Sequence, residues 1–213
     1  MDATSWLGPR DYRLFKGDQL AVIDTTNGNK ISYEGKIGDH GTYANIPANF
    51  KRSIDATTWR GVPGDYRLFR GDRVISIDTS QGNKVIYDGL IADHGTYANI
   101  PESFKRGIDA TSWLSATDYR LFKGDWLVVI DTTHGNRITY DGLIADHGTY
   151  ANLPAAFARC IDATTWRDVG TDYRLFKRDR LVVIDTVNGN AVKFDDKIAN
   201  HGTYQNLSSY WTS

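Results

Sequence analysis

The 213-residue sequence predicts an all-β fold, a four-bladed β-propeller made of four tandem repeats. The first observation is a pentapeptide, Asp-Ala-Thr-Ser/Thr-Trp, that begins at Asp2, Asp55, Asp109 and Asp162, about 53 residues apart. The second is that each repeat divides into four short runs of β-forming residues separated by turn residues. A unit of this kind cannot bury its own faces and must pack against neighbouring copies. Four-stranded units arranged radially form a propeller.

The repeats fill the chain, so we expect one domain, residues 1–213, with blades at approximately 2–54, 55–108, 109–161 and 162–213. Hydrophobic residues make up 40% of the sequence, which is enough for a sizeable core and argues against disorder. The formal net charge is −1 and there is no basic block, so we expect no nucleic-acid partner. No apolar run is long enough to insert into a membrane.

The first repeat shows the order of its strands. Residues 3–6 read as the first strand, which Gly8-Pro9 ends. Residues 11–16 form the second strand, closed by a turn at Gly17-Asp18. The third strand, residues 20–25, contains a continuous apolar run without alternation, which indicates burial on both faces. A blade packed between two others meets that requirement.

The second half of the repeat contains a hairpin and a connection. Asn27-Gly28 lies between two β-type runs and predicts a type I′ turn, in which both central residues have positive φ. The fourth strand follows at residues 30–33. After a polar segment, Pro47 predicts the start of a short helix that leads to the next repeat.

These segments together resemble hemopexin repeats. They are Asp-Ala at the first strand, Tyr-Arg-Leu-Phe-Lys-Gly-Asp from Tyr12 to Asp18, an apolar third strand and a connection that contains proline. The likeness covers all four units and is nearest in style to the plant seed albumins with four blades. It implies a propeller whose first strands line a central channel. The segment Asp-His-Gly-Thr-Tyr-Ala-Asn is a departure, and so is the lack of the usual disulfide between the first and last blades.

The single cysteine, Cys160, excludes an internal disulfide. Ser53 and Gly107 occupy its position in earlier repeats, so we interpret it as an incidental thiol. Met1 leads directly into the first repeat, without a signal peptide. We therefore expect a cytoplasmic protein, or one released without a cleaved signal.

The resemblance also implies an ion on the channel axis. In hemopexin-like propellers, main-chain carbonyls near the Asp-Ala motif hold ions there. By this resemblance, a Ca²⁺ or Na⁺ ion would be ringed by the main chain at Asp2, Asp55, Asp109 and Asp162. A hard cation prefers oxygen ligands, and we expect its role to be structural.

The polar segment of the connection contains most of the candidate ligand-binding residues. They are Asp39, His40, Tyr43 and Asn45; Asp93, His94, Tyr97 and Asn99; Asp146, His147, Tyr150 and Asn152; and Asn200, His201, Tyr204 and Asn206. Three interpretations stay open. The acid and the histidine cap the backbone of the connection, or each blade carries a polar ligand site, or the pair binds a transition metal. The last needs three or four ligands, and one blade supplies two.

Two further sets of residues recur. A tryptophan ends each first strand, and it serves either interblade packing or stacking on a ligand; the four are Trp6, Trp59, Trp113 and Trp166. An arginine in each second strand needs a partner if it is buried. For Arg13, Arg67, Arg120 and Arg174 the expected partners are Asp24, Asp78, Asp131 and Asp185.

These residues favour a multivalent carbohydrate-binding protein, a lectin, with one shallow site per blade and glycans or glycoconjugates as partners. Sugars need hydrogen-bonding side chains and an aromatic ring, and several weak sites on one rigid ring gain avidity. The alternatives are a carrier of a cation or small ligand in the central channel, and a storage or interaction scaffold without a ligand. No catalytic motif occurs, so we expect no enzyme. The sequence leaves open whether two rings pair as a homodimer.

Overall fold

The computed structural model describes residues 1–62, 64–167 and 171–213, which form four antiparallel four-stranded sheets. In each sheet the strands follow the order of the chain, so every blade is a meander from one repeat. The first strand of each blade contacts the first strands of the two neighbouring blades, which closes a ring around the axis. The predicted four-bladed β-propeller is confirmed.

The strand bounds repeat closely from blade to blade. The first strands are β1 (Ala3–Trp6), β5 (Ala56–Trp59), β9 (Ala110–Ser115) and β13 (Ala163–Trp166). The second strands are β2 (Tyr12–Lys16), β6 (Tyr66–Arg70), β10 (Asp118–Lys123) and β14 (Tyr173–Lys177). The third strands are β3 (Gln19–Asp24), β7 (Arg73–Asp78), β11 (Trp126–Asp131) and β15 (Arg180–Asp185). The fourth strands are β4 (Lys30–Lys36), β8 (Lys84–Leu90), β12 (Arg137–Leu143) and β16 (Ala191–Lys197).

Among the described residues, helical structure is confined to the connections between blades and the C-terminus. The two α-helices found there are α1 (Glu102–Lys105) and α2 (Ser209–Thr212). Short 3₁₀ turns occur at Ile37–Asp39, Gly41–Tyr43, Ile91–Asp93, Gly95–Tyr97, Ile144–Asp146, Gly148–Tyr150, Ala155–Phe157 and Ile198–Asn200. Within the described ranges, no helix is both long and apolar enough to cross a membrane.

The hydrophobic core lies at the junctions between blades. Strand β3 is buried over four consecutive residues, as the continuous apolar run predicts, whereas the outer strand β4 alternates between exposed and half-buried residues. At the first junction, Phe15 and Tyr43 of one blade pack with Leu68 of the next. Each junction therefore buries apolar surface from two repeats, and no repeat completes its core by itself.

The hairpin between β3 and β4 is a type I′ turn, but it lies one residue later than predicted. Positive φ values occur at Gly28 (61°) and Asn29 (58°), and the Lys30 amide donates to the Asn27 carbonyl at 3.1 Å. The shift arises because the Asp24 carboxylate accepts hydrogen bonds from both the amide and the hydroxyl of Thr26. Because Asp24 to Thr26 form a local turn of their own, the central residues of the hairpin turn are Gly28 and Asn29.

The fourth strand is longer than predicted and ends at Lys36 rather than at residue 33. A Cβ at Gly35 would lie 3.0 Å from the Tyr33 hydroxyl, so a larger residue there would displace this hydroxyl, which itself donates to the Lys36 carbonyl. The predicted helix after the proline is present as α1 in the second repeat. In the first repeat it is reduced to a single turn in which the Phe50 amide donates to the Pro47 carbonyl.

The C-terminus closes the ring onto the first blade without a covalent bond. Trp211 of α2 is 1% exposed and packs with residues of the first and fourth blades. Its indole Nε1 donates to Glu34 Oε1 at 2.9 Å. Lys16 Nζ donates to the carbonyls of Tyr210 (2.6 Å) and Ser213 (2.9 Å). These contacts hold the last repeat to the first.

Candidate functional site

A buried arginine organises the interior of every blade. Arg13 is 5% exposed, and its Nε and Nη2 donate to the two carboxylate oxygens of Asp11, each at 2.6 Å. Its Nη1 donates to the Tyr43 hydroxyl at 2.7 Å, and that hydroxyl lies 2.7 Å from the hydroxyl of Tyr66 in the next blade. The same relay is built on Arg67, Arg120 and Arg174. The relay links the second strand of each blade to the second strand of the next blade through hydrogen-bonded side chains.

The expected pairing of these arginines with Asp24, Asp78, Asp131 and Asp185 is wrong. Their carboxylate partners lie two residues earlier in the chain, at or just before the start of the same strand; they are Asp11, Asp65, Asp118 and Asp172. The register explains the error, because Arg13 lies opposite Val22 and Asp24 is two residues farther along, at the end of β3. Residues i and i+2 share one face of a strand, so the recurring Asp-Tyr-Arg motif was the signal for the true partner.

The four tyrosines predicted as ligand contacts are in the interior. Tyr43, Tyr97, Tyr150 and Tyr204 are at most 2% exposed, and their hydroxyls belong to the arginine relay. Burial raises the pKa of all four phenols above the ordinary value of 10.0. Their side chains therefore do not reach the surface where a ligand would bind.

Each histidine of the connection caps a short 3₁₀ turn. The backbone amide of Thr42 donates to His40 Nδ1 at 3.3 Å, and the ring packs edge-on against Tyr33 with 4.8 Å between centroids. The same arrangement recurs at His94, His147 and His201. The capping interpretation is confirmed for the histidines. Because Nδ1 is an acceptor, the neutral ring carries its proton on Nε2, which becomes a hydrogen-bond donor.

Open grooves of about 400 Å³ lie beside the histidines of the third and fourth blades. In the third blade the groove is lined by Thr117, Asp118, Arg120, Val129, Thr139, Tyr140 and His147. The fourth blade has a similar groove lined by Thr171, Asp172, Val183, Lys193, Phe194 and His201. Each groove combines a carboxylate, a half-buried imidazole and an aromatic ring. These groups suit a ligand that offers hydroxyls and an apolar C–H face.

The other predicted residues of the connection lie at the surface. Asp39, Asp93, Asp146 and Asn200 are exposed. Asn152 Nδ2 donates to the Gly189 carbonyl and Asn206 Nδ2 to the Gly28 carbonyl, which ties each connection to the hairpin of the following blade. Asn99 makes a long contact of the same kind at 3.5 Å. Asn45 is exposed. Ligand contact by these residues stays a prediction.

The four tryptophans surround one end of the axial cavity. Trp6, Trp59, Trp113 and Trp166 line it together with threonine and serine residues of the first strands. The cavity is about 20 Å³, which is room for about one water molecule or ion. The tryptophan rings also pack on buried tyrosines, as Trp6 does on Tyr12 at 5.7 Å between centroids. These tyrosines belong to the same blade as the tryptophan. Across the junctions, the Arg60 guanidinium of the second blade stacks over the Trp113 ring of the third at 4.0 Å, and Arg167 of the fourth blade stacks over Trp6 of the first at 4.2 Å. Interblade packing is therefore part of the role of these two tryptophans.

The axis itself is lined by oxygen atoms. Thr111 Oγ1 donates to the Thr57 carbonyl, and Thr164 Oγ1 donates to the Thr111 carbonyl. Thr4 Oγ1 donates in the same way to the Thr164 carbonyl. Thr57 Oγ1 is buried without a hydrogen-bond partner among the described residues. Hydroxyl and carbonyl oxygens are ligands that suit a hard cation such as Ca²⁺ or Na⁺.

The aspartate carboxylates of the Asp-Ala motifs bind the turn between the second and third strands. Asp2 Oδ2 accepts from the Gly17 amide at 2.7 Å, and Asp55, Asp109 and Asp162 make the equivalent bond to the turn between the second and third strands. An axial ion held by main-chain carbonyls near them stays a prediction. In the part of the chain that the structure describes, no group of three or more His, Cys, Asp or Glu side chains is placed to hold a metal.

Two of the capping histidines predict a pH dependence of stability. Burial, followed by the charge of the relay arginine, lowers the pKa of His94 and His201 from 6.5 to about 4. The unfolded chain therefore binds more protons between these values, and stability falls as the pH drops from about 6.5 to about 4. Below about pH 4 both states are protonated at these residues, and their contribution to the slope ends.

The double variant His94→Asn/His201→Asn tests this dependence by thermal unfolding between pH 4 and pH 7. Asparagine retains an oxygen that can cap the turn and removes the titrating group, so the decline in Tm toward pH 4 should become shallower. His134→Asn changes an exposed histidine outside the grooves and is the control. An unchanged decline in the double variant would contradict the assignment.

Several solved structures share the whole architecture. A seed albumin from Lathyrus sativus matches over 100% of this chain and 98% of its own, with a TM-score of 0.82 and 18% identity. A plant albumin from Cicer arietinum showing hemagglutination matches over 97% of each chain, with a TM-score of 0.79 and 19% identity. A plant lectin from Cicer arietinum with two metal binding sites also matches over 97% of each chain, with a TM-score of 0.76 and 20% identity.

Sequence comparison is less informative than structure for this chain. No family model matches the sequence, and no curated protein matches it significantly. At 18–20% identity, the structural likenesses establish architecture rather than activity. The ring of four meandering sheets and the full-length matches together show that this chain has the hemopexin fold, in the four-bladed form that plant albumins and lectins share.

Proposed function

We propose that this protein is a multivalent carbohydrate-binding protein with one shallow groove per blade. The observation that carries the proposal is the recurrence of one polar arrangement in all four repeats, a histidine against an aromatic ring beside the Asp–Arg pair. The hemagglutination of one structural neighbour and the lectin name of another support the same class of function. No enzymatic activity is proposed.

The groove offers the contacts that a sugar needs. In the third blade, His147 presents an Nε2–H donor and Asp118, whose side chain is 32% exposed, presents carboxylate oxygens as acceptors. Tyr140 lies beside the imidazole and adds an aromatic surface for the C–H face of a sugar. An open groove of this kind binds a single sugar weakly. Several grooves on one rigid ring gain avidity on a surface that displays many copies of a glycan.

The axial cavity supports an alternative function, the binding of one ion per chain. Its volume of about 20 Å³ accommodates an ion rather than an organic ligand. The Thr57 hydroxyl, which has no hydrogen-bond partner in the part of the chain that the structure describes, and the surrounding oxygens favour a structural cation on the axis. An axial carrier would bind one ligand per chain, whereas the grooves predict more than one. Stoichiometry therefore separates the two functions.

The test is glycan binding by a quadruple variant, His40→Asn, His94→Asn, His147→Asn and His201→Asn. A glycan selected on an array is titrated by calorimetry into both proteins. Asparagine can still accept from the threonine amide and cap the turn, while the Nε2–H donor and the ring are lost. We expect binding to more than one site per chain in the parent protein and at least about tenfold weaker binding in the variant, the loss of roughly one hydrogen bond in a binding site.

The matched control is His134→Asn, which changes a histidine on an exposed hairpin outside the grooves. It should leave affinity and stoichiometry unchanged. Equal affinity in the quadruple variant, with its fold verified by circular dichroism, would exclude the grooves as the glycan site. One bound ligand per chain, lost on treatment with a chelator, would favour the axial alternative.

A further inference from the structure

A second kind of groove lies where the connection from the third blade meets the fourth blade. It is open, has a volume of about 580 Å³, and is lined by Ala156, Arg159, Cys160, Asp162, Lys177 and Arg178. None of these residues lines the histidine grooves of the third and fourth blades. The groove is therefore separate from the proposed glycan sites, and its volume is in the range of small-molecule binding sites.

The lining of this groove carries an excess of positive charge. Three of its six residues are cationic and one, Asp162, is anionic. The Asp162 carboxylate is already engaged, since its Oδ2 accepts a hydrogen bond from the Arg178 amide at 2.5 Å. The whole chain has a net charge of −1, so the excess is a local property of the groove. Such a concentration of cations attracts anions.

Hydrogen bonds from the backbone and from Lys177 fix the shape of the groove. Lys177 Nζ donates to the carbonyls of Ala156 and Arg159. The Cys160 amide donates to the Gly124 carbonyl at 2.6 Å. These bonds hold the end of the connection against the third and fourth blades, and they bring Arg159 to the groove that Arg178 also lines.

The two arginines are the cations that remain available to a ligand. Arg159 and Arg178 are exposed, and within residues 1–62, 64–167 and 171–213 neither guanidinium forms a hydrogen bond or an ion pair. Lys177, by contrast, is committed to two backbone carbonyls. A guanidinium presents its N–H donors as a planar fork that matches two oxygens of one oxyanion.

Arg178 distinguishes the fourth blade from the other three. It lies in the turn between the second and third strands with φ at 54°, where the other repeats carry Gly17, Gly71 and Gly124 with φ between 55° and 57°. Glycine adopts this left-handed conformation without steric cost, whereas a side chain does not. The turn therefore does not require an arginine, and the substitution adds a cation to the groove of this blade.

We propose that this groove binds the phosphate or sulfate group of a small anionic ester, with Arg159 and Arg178 donating to its oxygens. The shared chemistry is a tetrahedral oxyanion, which guanidinium groups bind through charge-assisted hydrogen bonds. The groove is large enough to hold the organic group that carries the oxyanion as well. This site belongs to the fourth blade and acts independently of the histidine grooves.

Cys160 is a built-in reporter for the test. It is the only cysteine of the chain, it is exposed, and it lines the groove. Its reaction with the neutral disulfide dithiodipyridine is followed at constant ionic strength with increasing glucose phosphate, glucose sulfate or glucose, the phosphate and sulfate being esters of the primary hydroxyl. We expect one or both esters to slow the reaction saturably, while glucose leaves the rate unchanged. The concentrations for half protection show which oxyanion the groove prefers.

The variant Arg178→Gly removes one guanidinium and restores the residue of the other three turns. The ester concentration for half protection should rise at least about tenfold, the loss of a hydrogen bond between charged groups. The Tm should not fall, because glycine suits the positive φ of this turn. Arg159→Gln should weaken protection in the same direction. Arg106→Gln is the matched control, since Arg106 is the counterpart of Arg159 in the preceding connection and should leave protection unchanged.

Three results would overturn the proposal: no saturable protection by either ester, equal protection by glucose, or the same half-protection concentration in Arg178→Gly as in the parent protein. Each rate is normalised to the unprotected rate of the same variant, so an effect of the arginine on the thiol itself does not enter. The histidine substitutions of the glycan grooves should leave the protection of Cys160 unchanged. Either site can therefore fail in these experiments without the other.

Discussion

Replacing Trp211 with alanine is expected to lower the free energy of unfolding by about 3–5 kcal/mol, the cost of deleting a large buried aromatic side chain. Trp211 is 1% exposed and fills the junction between the last blade and the first. Its loss also leaves Glu34 without the indole donor. No disulfide closes this ring, so the contacts of the C-terminal helix α2 with the first blade close it. Loss of the Trp211 side chain should therefore weaken these contacts and expose the edge of the first blade.

The measurement is urea unfolding of the variant and of Trp126→Ala. Trp126 is 40% exposed on β11, so the same substitution there removes little buried surface and should cost about 1 kcal/mol or less. Hydrogen exchange should additionally show faster opening of β1 and β16 in the Trp211 variant. If the two tryptophan variants are equally stable, closure by α2 is not important for the fold.

Replacing Arg174 with methionine is expected to cost about 3 kcal/mol, because it breaks a buried charged network and leaves its partners incompletely paired. Arg174 is 2% exposed and donates to both oxygens of Asp172 and to the Tyr204 hydroxyl. Methionine retains most of the aliphatic length, so the loss reports on the guanidinium rather than on packing.

Arg73→Met is the comparison for this variant. Arg73 pairs with Asp88 on the surface, where both side chains are more than one third exposed, so solvent screens the interaction and stability should hardly change. Both variants are measured by chemical denaturation at the same pH and salt concentration. A loss at Arg174 no greater than that at Arg73 would show that the relay contributes no net stability.

Local signals predicted the first three strands of the repeat closely, whereas the fourth extends three residues beyond its predicted end. The apolar run of β3 and the turn at Gly17-Asp18 act between residues close in the chain, so their reading needs no knowledge of the fold. The hairpin was predicted in kind and missed by one residue, because Asp24 bonds Thr26 and moves the turn to Gly28-Asn29. A prediction based on the Asn-Gly pair alone does not take account of this side-chain bond, which shifts the turn by one residue.

The candidate site was predicted less completely. The connection residues were identified as a set, but their division into buried and exposed members was not. Tyr43 is turned inward because a phenol of the next blade, Tyr66, and an arginine of its own blade meet there. Arg60 was not singled out, since the Trp113 ring on which its guanidinium stacks belongs to another repeat.

The sequence by itself determined the number of blades, the order of strands within each blade and the positions of the recurring polar residues, because repetition and short-range turn chemistry are written along the chain. The tertiary structure decided which of those polar residues meet. The partners of Tyr43, Arg60 and Trp211 lie in other blades or at the opposite end of the chain, where closing the ring brings them into contact. Such pairings depend on distances in space, and sequence spacing carries no record of them.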